Sequence, residues 1–169
     1  MGVLVELVRA YLAIILTLAA LAKFVHREHF VKAIASYKLL PLPLIVPFSY
    51  AVPLTEFALA VCVGSGSLVP SAEITTACLV SVFTGAVLIR LARGERGKPC
   101  GCGLGRNVRL GLDIVLRNIF LIALAIAAVG GGPAETPALV LAASILLVRT
   151  AAVAVSRRRA KAYLLAELN

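Results

Sequence analysis

The sequence predicts an all-α integral membrane protein: about five transmembrane helices in a bundle, with one short amphipathic helix at the membrane surface. Three observations predict it. Apolar residues make up 61% of the 169 and charged residues 15%, against roughly 45–50% and about 25% in soluble domains. A soluble globule of this length has too little interior for so much apolar side chain, which excludes the soluble-enzyme classes. Apolar runs of about 20 residues recur, the length that crosses hydrocarbon as a helix. The 17 Lys+Arg against 8 Asp+Glu give a net charge of +9, and they gather in a few segments.

The runs fall near residues 3–22, 44–63, 72–91, 110–129 and 137–156, and residues 1–169 read as a single transmembrane domain. Gly64-Ser65-Gly66-Ser67 with Pro70, and Gly130-Gly131-Gly132-Pro133, supply breaks between runs. The first run carries Glu6 and Arg9 where a cleaved leader would have a basic start, so it reads as a mature first helix. Between the first two runs, residues near 26–40 carry Arg27, Glu28, Lys32 and Lys38. Phe30, Ile34 and Tyr37 share one helical face there, and Pro41 and Pro43 follow. That pattern suits a helix lying in the interface.

Fourteen of the 17 basic residues lie in three segments: 23–38, 90–109 and 157–161. Five spans put all three on one side. The positive-inside rule then makes a multi-pass protein of the cell membrane with its N-terminus outside and its C-terminus in the cytoplasm. The charge orients the chain and anchors it to anionic lipid head groups; a nucleic-acid partner is not needed to explain it.

Charges inside spans are costly and normally face the bundle interior in pairs. Glu56 lies in the second run, Asp113 and Arg117 in the fourth, and Arg149 in the fifth. Asp113 and Arg117 share a helix face at four-residue spacing, with Asn118 beside them. A bonded cluster of Glu56, Arg117 and Arg149 is expected, either tying helices together or lining a path. Glu6, Arg9 and Arg90, near span ends, are expected to snorkel.

Cys62 and Cys78 lie among apolar neighbours, as small buried hydrophobes or as a second thiol pair near the outer end. Cys100-Gly101-Cys102 differs. Gly101 makes closure of a very small disulfide ring feasible but strained, and a strained disulfide exchanges readily. Lys98 and Arg106 favour thiolate. The same two thiols could clamp a soft metal ion, or be inert. They are too few for a closed zinc site. His26 and His29 read as interfacial polar residues, and no metal site is assigned.

Several segments then occur together: Ser36-Tyr37-Lys38-Leu39-Leu40-Pro41, Pro53-Leu54-Thr55-Glu56, Arg93-Gly94 before Cys100-Gly101-Cys102-Gly103-Leu104-Gly105, and Arg117-Asn118. Their order resembles the methylamine utilisation protein MauE family, a branch of the DoxX-like membrane proteins, over roughly residues 5–130. The resemblance implies a DoxX-like helical bundle. It implies disulfide chemistry beside a thioredoxin-like partner that matures a disulfide-rich dehydrogenase subunit. Cys100 and Cys102 match the family's thiol pair, and Glu56, Arg117 and Asn118 its intramembrane polar positions. Gly103-Leu104 stand where the family usually has one aromatic residue, so the motif is one residue longer here.

The expected function is that of a membrane thiol–disulfide oxidoreductase. Cys100 and Cys102 exchange disulfides with a thioredoxin-like protein or a small electron carrier such as a quinone, in support of disulfide formation in a client protein. A carrier using the dithiol as a soft-metal clamp, and a non-catalytic assembly subunit, are the alternatives. The charge count puts this dithiol on the cytoplasmic side, whereas exported disulfides mature outside; Cys62 and Cys78 as a second pair would complete a relay across the membrane.

Overall fold

The computed structural model describes residues 2–97 and 110–131. The predicted fifth span near 137–156, with Arg149, lies outside them. Among the described residues five helices follow in order: α1 (Gly2–Val25), α2 (Arg27–Tyr37), α3 (Leu42–Ser65), α4 (Ser71–Ala92) and α5 (Leu112–Ala128). No strand occurs among the described residues. α1, α3 and α4 are each long and apolar enough to cross a membrane. α5 matches the fourth predicted span with 17 residues, about 25 Å at 1.5 Å per residue.

Each boundary has a local cause. α1 and α2 are separated only by His26, whose N–H still donates to Ala22 O at 3.0 Å. α2 ends one turn before Pro41, because Lys38 takes a left-handed conformation (φ 52°) with its N–H on Ala35 O. Pro41 is the N-cap of α3 and Pro43 lies in its first turn, where a missing N–H costs nothing. Pro47 and Pro53 stand inside α3. Ser49 donates to Val46 O at 2.6 Å and Thr55 to Val52 O at 2.8 Å, so both hydroxyls are satisfied within the helix. α3 stops at Gly66, left-handed at φ 63°.

The helices run alternately up and down. α1 packs mainly on α3, and α4 mainly on α5. Leu12 shares a buried cluster with Val63, Ala72 and Ala125, while Lys23 meets Glu56, so α3 recedes as α1 advances. Small buried residues (Ala13, Ala20, Ala60 and Gly64) line the α1–α3 pair. Without a hydrophobic drive between helices in lipid, such residues let backbones approach and gain dispersion contact. The outer faces are apolar: Leu54, Val82, Leu116 and Ile126 are all more than half exposed, as lipid contact requires.

One end of the bundle holds the α3–α4 turn and the C-terminus of α5. The other holds α2, the end of α4 and the start of α5. Exposed Lys32, Lys38, Arg93 and Arg96 all belong to this second end. Two basic residues counted toward it from sequence are instead interior. Lys23 is 6% exposed and Arg90 1%.

Candidate functional site

The sequence singled out a loop and a set of intramembrane polar residues. Cys100 and Cys102 lie outside the described residues; the segments that hold their loop lie within them. α4 terminates through paired hydrogen bonds, Glu95 N to Arg90 O at 3.1 Å and Gly94 N to Leu91 O at 3.0 Å. This is a Schellman cap, which needs the left-handed residue that Gly94 (φ 76°) supplies. Gly97 is also left-handed at φ 77°, and its N–H donates to Leu110 O at 2.9 Å. The chain therefore enters and leaves the cysteine segment, residues 98–109, from two hydrogen-bonded points. Val87, Leu110, Ile114 and Val115 form a buried cluster beneath them.

α2 is tied to the same place. The Arg90 guanidinium stacks 4.6 Å from the Tyr37 ring centroid and pairs with Glu95 at 2.7 Å. Arg93 Nη1 donates to Tyr37 O at 2.9 Å. Burial pushes the Tyr37 phenol above its usual range, partly offset by Arg90. Tyr37 and Arg93-Gly94, distant in sequence, thus converge at the base of the cysteine loop.

The interior polar residues are arranged differently from expectation. Glu56 is bonded to Lys23, at 2.6 and 2.7 Å to its two oxygens, and not to Arg117. Arg117, exposed along its helix, donates to Asn118 Oδ1 at 3.2 Å, and Asn118 Nδ2 donates to Thr84 Oγ1 at 3.2 Å. Lys23, Glu56, Arg117 and Asn118 line one cavity of about 70 Å³, but the bonded cluster expected of Glu56, Arg117 and Arg149 does not form between Glu56 and Arg117, and Arg149 lies outside the described residues. Asp113, exposed in the first turn of α5, suits that helix's positive end.

The expected snorkelling of Arg9 and Arg90 is also corrected. Arg9 is 2% exposed; its Nε lies 2.9 Å from Glu73 Oε1, and it donates to Ala128 O and Gly131 O at 3.3 and 3.1 Å. It closes the opposite end of the bundle by capping the last carbonyl of α5, Ala128 O, and that of Gly131 just beyond the helix. The sequence signal was Glu73 itself, a carboxylate at the head of an apolar run that needs a buried cation. Cys62 and Cys78 are not joined by a disulfide: Cys62 is half-buried against the core and Cys78 is exposed on α4. Among the described residues no group of three or more His, Cys, Asp or Glu could hold a metal.

A family model described as methylamine utilisation protein MauE matches residues 1–131. Among curated proteins, the chain is 36% identical over 133 residues to methylamine utilization protein MauE of Paracoccus denitrificans, covering 77% of this chain and 70% of that one. It is 32% identical over 117 residues to the protein of that name from Methylophilus methylotrophus, covering 66% and 60%. It is 33% identical over 129 residues to that of Methylorubrum extorquens, covering 76% and 68%. No solved structure matches the chain. The match spans every described helix and both flanks of the cysteine loop, and the chain belongs to the MauE family.

Proposed function

We propose that this MauE-family membrane protein is a thiol–disulfide oxidoreductase whose working pair is Cys100 and Cys102. The observation that supports the reading is the joining of the two flanks: Gly97 N–H donates to Leu110 O at the bundle end where Tyr37, Arg90 and Arg93 converge, and the sequence between these flanks holds two thiols one residue apart. Lys98, Arg96 and Arg106 flank the pair in sequence, and positive charge lowers the thiol pKa and raises the thiolate fraction that attacks a disulfide. The exchange partner is a thioredoxin-like protein, and the outcome is disulfide formation in a client protein. We extend to this chain the process in its relatives' name, methylamine utilisation. The basic end carries the loop, so the positive-inside rule sets loop and C-terminus in the cytoplasm and the N-terminus outside.

Thiol trapping in intact cells tests this. A membrane-permeant maleimide is applied before and after reduction to wild type, Cys100→Ser and Cys102→Ser, and a membrane-impermeant one before and after permeabilisation. A Cys100–Cys102 bridge in part of the population, with mixed disulfides trapped in either single variant, is the expected result. Thiols that are always reduced, with copper(I) retained after purification, would overturn it in favour of a soft-metal clamp. Serine variants that leave the client fully oxidised would make the protein an assembly subunit. Labelling only after permeabilisation is expected from the orientation.

A further inference from the structure

The Lys23 ammonium lies near two aromatic rings as well as beside Glu56. It lies 5.7 Å from the Phe30 ring centroid and 5.5 Å from that of Phe83. These two rings line the small chamber that holds Lys23, Glu56, Arg117 and Asn118. They also line a second, larger space of about 220 Å³ walled by α2, α3 and α4. That space is a groove of apolar side chains, among them Ile34, Tyr37, Phe48, Val52 and Ala86. Its rim includes Val82, 66% exposed on the lipid-facing side of α4. An apolar groove facing lipid thus meets, at two aromatic faces, a small chamber whose largely apolar wall carries Lys23, Glu56, Arg117 and Asn118.

We infer that this double cavity is the binding site of a membrane-soluble quinone, with the isoprenoid chain in the groove and the ring at Phe30 and Phe83. The chemistry on each side selects this occupant. The groove offers almost no polar surface and takes a hydrocarbon chain. The chamber offers Lys23, Arg117 and Asn118 as donors to a carbonyl oxygen. A quinone arrives uncharged through lipid, so it brings no ion to desolvate. A fatty acid would carry a second carboxylate toward Glu56, and a phosphodiester head group would bring a charge that has to be desolvated. The negative charge that develops on quinone oxygen during reduction falls beside two cations, Lys23 and Arg117.

The site lies close to the dithiol's anchor. Asn118 is six residues along α5 from Leu112, about 9 Å at the helical rise. On the reading of Cys100 and Cys102 as the working pair, the step balances. The dithiol forms its S–S bond and releases two electrons and two protons, and the quinone takes up both to become the hydroquinone.

The test uses the full-length protein in lipid nanodiscs, with a decyl-tailed benzoquinone and its tail-less parent as probes. The Cys100→Ser/Cys102→Ser variant is expected to bind the decyl quinone as wild type does. Ala86→Phe fills the groove and is expected to weaken the decyl quinone about tenfold or more while changing the parent less than about twofold. Ile34→Trp fills it from α2, so a folding defect at one position does not remove the test. An azido-quinone is expected to label the Phe30 and Phe83 peptides. Unchanged decyl-quinone affinity in folded groove variants, label confined to other peptides, or binding of oleate with none of quinone would overturn the site. Quinone bound normally but never reduced by the dithiol would sink the redox reading and leave the site. Thiols that cycle with a protein partner while no quinone binds would do the reverse.

Discussion

Lys23 Nζ lies 2.6 and 2.7 Å from the two carboxylate oxygens of Glu56, joining the last turn of α1 to the middle of α3. Both side chains are within 6% of full burial. The pair explains how a lysine at the edge of an apolar run and a glutamate inside another are tolerated together. Neither would be tolerable alone, because an uncompensated charge in the bundle keeps its full desolvation cost.

Breaking this pair from one side is therefore expected to be worse than removing it. Lys23→Met should destabilise the protein by about 3–5 kcal/mol, while Lys23→Met with Glu56→Met should recover most of that loss. Glu56→Gln should also be impaired, since Lys23 keeps its charge. Thermal unfolding in detergent, compared across the three variants, reads the difference. A double variant no better than the single ones would contradict the pairing.

At the other end, Arg9 holds Glu73, the last carbonyl of α5 and the carbonyl of Gly131 beyond it. Arg9→Met should loosen the end of that helix specifically. Hydrogen exchange of residues 126–131 is expected to speed up by about tenfold or more, with α2 unchanged. Uniform acceleration over the whole chain would argue that the contact is global and not a local cap.

Gly94 holds a left-handed conformation in open space, with nothing near where a Cβ would stand. Gly94→Ala meets no clash but pays the backbone strain, about 1–2 kcal/mol, and Gly94→Asn should cost less. The loss should appear as faster maleimide labelling at Cys100 and Cys102, because the cap sets the segment leading to them. Equal labelling in wild type and Gly94→Ala would separate the cap from the loop.

Cys78 is exposed on the lipid face and Cys62 is half-buried against the core. A lipid-soluble maleimide should modify Cys78 first. Equal rates would show that α3 and α4 open far enough to expose both thiols.

Much of the fold was legible in the chain because spans are a matter of length and hydropathy. The predicted runs 44–63 and 72–91 became α3 (Leu42–Ser65) and α4 (Ser71–Ala92) with shifts of one or two residues. α2 was legible from Phe30 and Tyr37 on one face, both now buried. It ended earlier than the prolines implied, since Lys38 turned left-handed first.

By itself, the sequence determined a helical membrane protein, its basic segments and its resemblance to the MauE family. These follow from composition, run length and local motif order, none of which needs a partner. Only the tertiary structure decided which charges meet. Lys23 and Arg9 looked like edge residues because hydropathy measures a residue against its neighbours in the chain. Their true neighbours, Glu56 and Glu73, lie on other helices, 33 and 64 residues away. Helix packing brings them together, and with them the small chamber and apolar groove that meet at Phe30 and Phe83.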